Sequence, residues 1–100
     1  MLLYNIVEEP EFSDAFDKLE LEYPILTEIK RGLDFFLSRQ PFDLGEPIPR
    51  MPVSAYGAFF VCKSTTFDIF SYPVFKFYYR IVDDAVYLIG VYKSTNGEIR

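Results

Sequence analysis

Histidine and tryptophan are both missing from this 100-residue chain. Without histidine there is no His-based catalytic triad, no histidine–metal centre and no imidazole general base, so proton transfer near neutrality loses its usual agent. The one cysteine, Cys62, excludes an internal disulfide, and with no basic neighbour to activate it the residue reads as a core filler. No apolar run reaches the roughly 20 residues that cross a membrane. The start, Met1-Leu2-Leu3-Tyr4-Asn5, lacks the charged region and long apolar core of a signal peptide, so a soluble cytoplasmic protein with no membrane partner is expected. Bases are scarce as well: ten Lys and Arg stand against fifteen Asp and Glu, a net charge of −5. That balance argues against non-specific nucleic-acid binding, which needs many cations to displace counterions. The deficit is uneven, however. Residues 1–50 hold eleven acids and five bases, residues 51–100 four acids and five bases, which leaves room for a small cationic patch in the second half.

Half of the residues are hydrophobic and 19% are aromatic, enough to build one packed domain over residues 1–100 without a disulfide or a metal. The pattern of elements is β, α, α, then a run of strands. Residues 2–7 read as a short first strand. Glu8-Glu9-Pro10-Glu11 opens a helix, because proline suits a first turn whose N–H has no partner and carboxylates favour the positive end of the helix dipole. Phe12, Phe16, Leu19 and Tyr23 then recur at helical spacing. Pro24 separates this helix from a second whose stripe is Leu26, Ile29, Leu33 and Phe36, closed by Pro41. The proline-rich stretch 41–52 is expected to be an extended crossover, neither helix nor interior strand. Residues 56–63 follow as a strand, residues 65–70 as an extension or second short strand, and Ser71-Tyr72-Pro73 as a turn. The tail 94–100 is polar. The expected fold is α+β: an N-terminal strand and an antiparallel helix pair packed on one face of a mainly antiparallel four-stranded sheet.

Residues 74–93 organise the rest as a hairpin. Its first arm alternates Phe75, Phe77, Tyr79 and Ile81 on one face with Lys76, Tyr78 and Arg80 on the other. Asp83-Asp84 makes the turn, since aspartate tolerates left-handed backbone and bonds its own main chain. Two adjacent carboxylates there are turn chemistry rather than a metal site, and no metal or other cofactor is expected.

In this order the pieces resemble the RelE/ParE toxin superfamily of bacterial type II toxin–antitoxin systems. Pro10-Glu11-Phe12 with Phe16 and Leu19 is similar to the family's first helix. Pro41 to Gly45, followed by Glu46-Pro47-Ile48, is similar to its proline–glycine loop. Tyr72-Pro73-Val74-Phe75-Lys76-Phe77-Tyr78-Tyr79-Arg80-Ile81-Val82-Asp83-Asp84 followed by Val86-Tyr87-Leu88-Ile89 is similar to its hairpin. The resemblance implies a cognate antitoxin as partner. It also implies, for ribosome-dependent members, metal-independent cleavage of mRNA by cations that stabilise the phosphate while a ribose 2′-hydroxyl attacks it. Carried over by position, the catalytic cations are Lys76, Arg80 and Lys93, with Lys63, Tyr78 and Tyr92 contacting substrate.

Several features depart from that pattern. Residues 57–62 hold no lysine, the tail offers neither tyrosine nor histidine, and Lys76 lacks the bidentate fork of an arginine. Two further readings therefore stand beside the nuclease. One is a catalytically degenerate protein that acts through protein–protein binding, to an antitoxin or a DNA gyrase-type target. In the other, Lys76, Tyr78 and Arg80 form an ordinary solvated strand face paired to an acid, while Lys63 and Lys93 only protect strand ends. Phe67, Phe70 and Tyr72 are core or, if exposed, a partner surface.

Overall fold

The computed structural model describes residues 3–48, 58–64 and 74–94. The expected strand at residues 65–70, the turn at Ser71-Tyr72-Pro73, the aromatics Phe67, Phe70 and Tyr72, residues 49–52 and the tail beyond Ser94 lie outside them.

A short strand β1 (Asn5–Glu8) leads into helix α1 (Pro10–Glu22). Glu9 sits in extended backbone just before the helix and Pro10 takes its first position, where a missing N–H costs nothing. After a three-residue connection at Pro24, helix α2 (Leu26–Leu37) turns back over the sheet. Phe12 and Phe16 of α1, with rings stacked 5.8 Å apart, and Leu26, Ile29, Leu33 and Leu37 of α2 are the buried positions of the two helices. Phe36, expected in that stripe, is partly exposed, and Leu37 takes its place.

The proline stretch is more structured than its composition suggests. Pro41 opens a one-turn helix, α3 (Pro41–Leu44), with its ring at the first position. Glu46–Pro47 then forms a two-residue strand, β2, at the sheet edge, the one place where a proline breaks no ladder. Strands β3 (Ala58–Lys63), β4 (Phe75–Val82) and β5 (Ala85–Lys93) follow. Among the described residues the sheet therefore has five strands rather than four, in the order β1-β5-β4-β3-β2. All neighbouring pairs are antiparallel except β1 with β5, which is parallel.

β4 alternates as its sequence demands: Phe75, Phe77, Tyr79 and Ile81 are buried, and the residues between them are not. Its turn has Asp83 at φ 52°, the left-handed conformation that aspartate tolerates. The helices cover the face that carries Phe75, Phe77 and Tyr79. Tyr79 stacks on Phe60 at 5.5 Å, and its hydroxyl donates to the Pro41 carbonyl at 2.7 Å, tying α3 to the sheet. Three charges join β1 to α2 at the rim of this core. Lys30 Nζ lies 2.9 Å from Glu8 and 2.7 Å from Asp34, and Ser13 also donates to Glu8. No helix among the described residues is long and apolar enough to cross a membrane.

Candidate functional site

The face of the sheet away from the helices is the one that strand alternation reserves for polar groups. On β4 it carries Lys76, Tyr78 and Arg80. The β3 partners of these residues are Lys63, Val61 and Phe59, so Lys63 stands directly across from Lys76. On the other side Lys76 faces Tyr92, Tyr78 faces Gly90, and Arg80 faces Tyr87. Tyr78 and Tyr92 meet edge to face with ring centres 5.4 Å apart, and Tyr92 is 60% exposed. Lys63, Lys76, Tyr78 and Tyr92 are thus brought together at one end of this face.

Arg80 lies four residues further along and is engaged elsewhere. Its Nη2 is 3.2 Å from the Glu9 carboxylate and its guanidinium lies 4.6 Å from the centre of the Tyr87 ring. Lys93 is not on this face. A bulge in the β4–β5 ladder leaves Ile89 without an opposite number, since Tyr78 pairs with Gly90 and Tyr79 with Leu88. Beyond it the phase of β5 is reversed, because adding one residue sends every later side chain to the opposite side. Lys93 consequently pairs with the buried Phe75 and reaches the helix side, donating to the Tyr23 hydroxyl at 3.1 Å. That hydrogen bond holds its ammonium above the ordinary lysine range. Of the expected row of Lys76, Arg80 and Lys93, Lys93 therefore lies on the helix side, while Lys76 and Arg80 stay on one face four residues apart.

Two shallow cavities shape the open face. One, of about 350 Å³, is lined by Glu9, Pro10, Glu11, Phe59, Arg80 and Ile89. The other, of about 360 Å³, is lined by Ile48, Phe59, Tyr78, Ile89, Gly90 and Tyr92. They share Phe59 and Ile89 and so form one continuous groove. Phe59, Ile89 and Tyr87 are not legible in the sequence as site residues, and Glu9 and Glu11 are legible only as clustered helix-surface acids, not as part of this face. Glu9 gets there only because the parallel β1–β5 pairing, with the Glu9 amide bonded to the Leu88 carbonyl, delivers the start of α1 to the rim of this face.

No group of three or more Cys, Asp or Glu among the described residues is placed to hold a metal ion. Among the described residues, the two strongly displaced titrations of the core move away from neutrality, where a general base must work. Burial pushes the Cys62 thiol up to about 12 and the Tyr79 phenol up further from its ordinary value. Cys62 is therefore expected to stay unlabelled by a thiol-specific disulfide reagent at pH 8 in the folded protein and to react at once in denaturant. Rapid labelling of the native protein would show the thiol to be accessible.

No family model matches the sequence, and no curated protein does. A chain in the crystal structure of the RelBE2 toxin–antitoxin complex from Mycobacterium tuberculosis is similar in three dimensions, with a TM-score of 0.67 over 94% of this chain and 94% of that one, at 21% sequence identity. Two helices ahead of a sheet that is mixed and five-stranded among the described residues give this protein the fold of that chain.

Proposed function

We propose that this chain is the toxin-fold member of a type II toxin–antitoxin pair and that it acts by recognising protein through its open sheet face. The observation that carries this reading is the Arg80–Glu9 ion pair. A phosphate in its pentavalent state needs cations free to converge on it, and here a carboxylate of the same chain already occupies the guanidinium. Lys93, turned toward Tyr23, leaves Lys76 and Lys63 as the neighbouring lysines of that face. A groove floored by aromatic and apolar side chains suits a polypeptide better than a phosphate backbone. A co-expressed antitoxin is the expected partner, in keeping with the complex in which the similar chain was solved.

The second reading, ribosome-dependent mRNA cleavage, draws on the Lys63–Lys76 pair, two cations directly opposite on adjacent strands beside Tyr92. One experiment separates the two. The chain is induced alone in a bacterial host, and mRNA ends are mapped on ribosomes for the native sequence and a Lys76→Ala, Arg80→Ala double variant. Protein recognition predicts growth arrest by the native chain without new mRNA ends. Discrete cleavages within codons that vanish in the variant would establish the nuclease instead. Normal growth throughout would remove the toxin assignment.

A further inference from the structure

The open groove is electrically two-ended. At one end Glu9 and Glu11 line it, and only Glu9 is matched by Arg80; Glu11 makes no ion pair among the described residues. At the other end Lys76 stands between Lys63 and Tyr92, also without an ion pair among the described residues. The floor between is apolar: Phe59 and Ile89, then Tyr78 and Tyr92. At Gly90, opposite Tyr78, the Tyr92 ring fills the space a side chain would take, 3.0 Å from where a Cβ would stand.

From these features we infer that the groove receives an extended polypeptide segment of alternating charge: a basic side chain toward Glu9 and Glu11, an apolar side chain over Phe59 and Ile89, and an acidic side chain toward Lys76. This deepens, and rests on, the reading of the face as a protein-recognition surface. The spacing follows from the sheet. Arg80 and Lys76 are four residues apart on one strand, about 13 Å at a strand's rise of roughly 3.3 Å per residue, so an extended occupant carries its two charges about four residues apart. A segment with two acids meets Glu9 and Glu11 with like charge, one with two bases meets Lys76, and a nucleic-acid strand meets the acidic end with its phosphates. Each mismatch disfavours the wrong occupant more strongly than a neutral group would.

Four synthetic nine-residue peptides test this. All share an apolar centre and differ only in residues 3 and 7, which are Lys/Glu, Lys/Lys, Glu/Glu or Gln/Gln. Their affinities for the whole protein are measured by fluorescence anisotropy at low and high salt, beside a twelve-nucleotide single-stranded RNA. The Lys/Glu peptide is expected to bind about fivefold more tightly than either like-charged peptide, about 1 kcal/mol, because one rim attraction is exchanged for a repulsion. That advantage fades at 1 M salt. In the Lys76→Glu variant the Lys/Lys peptide becomes the tightest, and in Glu11→Lys the Glu/Glu peptide does. Both substitutions sit on solvent-facing positions, and circular dichroism verifies that each variant is folded. Equal affinity for all four peptides, no measurable binding of any, or tighter binding of the RNA would overturn the inference. Because no toxicity enters the measurement, the peptide ranking can hold while the toxin assignment fails, and the reverse.

Discussion

Replacing Gly45 with alanine is expected to destabilise the domain by about 3 kcal/mol, a fall of roughly 15 °C in Tm for a chain of this size. The backbone at Gly45 is ordinary extended chain, φ −107°, so no left-handed strain is involved. The cost is one of space. A Cβ there would collide with the Tyr79 hydroxyl and lie 2.9 Å from the Val61 carbonyl oxygen and 3.1 Å from Tyr79 Cζ. The Val61 oxygen cannot move aside, because it belongs to the β3 backbone, held in the ladder with β2 and β4. Tyr79 cannot retreat either: its ring is fully buried against Phe60, and its hydroxyl donates to the Pro41 carbonyl. Thermal denaturation of Gly45→Ala, Tyr79→Phe and the double variant measures the coupling. Removing the hydroxyl leaves the Pro41 carbonyl unsatisfied, at about 1–2 kcal/mol, but takes away the principal collision. The double variant should therefore be clearly more stable than the sum of the two losses predicts. Strict additivity would mean that the two residues do not crowd each other.

Lys30→Met should lower stability by about 1.5 kcal/mol at pH 7, and the difference from the native chain should shrink in acid. Lys30 is only 14% exposed and lies between Glu8 and Asp34, which are 42% and 41% exposed. Breaking a fully buried pair costs about 3–5 kcal/mol; solvent reaching these two carboxylates screens much of that, hence the smaller figure. Removal of the ammonium also leaves Asp34 worse off, since its Oδ1 is already buried without a partner among the described residues. The hydrogen bond from Lys30 holds the Glu8 carboxyl below its ordinary value of 4.5. Its contribution is therefore present above pH 4.5 and is lost as pH falls through the lower folded value. For Lys30, burial pulls downward, but the hydrogen bonds to Asp34 and Glu8 outweigh it and hold the ammonium above 10.5. That contribution is complete below pH 10.5 and lost as pH rises through the higher folded value. Urea denaturation of both proteins at about pH 3 and pH 7 is the check. A gap of the same size at both values would exclude the ion pairs as its source.

The difference between the two faces of β4 is written in the chain itself. Alternation from Phe75 to Ile81 needs only the period of a strand, and Pro10 and Asp83 mark a helix start and a left-handed turn by their own covalent constraints. The apolar spacing of Phe12 with Phe16, and of Leu26 with Ile29 and Leu33, likewise needs no partner to be read. The short helix at Pro41 is harder to see. Proline forbids helix interiors but welcomes a first turn, and the residues after it decide between the two.

Local periodicity thus decides which residues of a strand share a side, but it does not say where a ladder slips or which strands meet. The extra residue at Ile89 is invisible in a run of Val, Leu and Ile, yet it sends Lys93 to Tyr23 and Tyr92 to the open face. Glu9 is an unremarkable helix-start acid until β1 pairs with β5, some eighty residues later, and sets it against Arg80. The sequence by itself determined the helices, the hairpin and the polarity of β4, because these depend on neighbours within one or two turns. Only the tertiary structure decided which charges stand together, because pairing register and strand order arise from contacts between distant segments that no short stretch encodes.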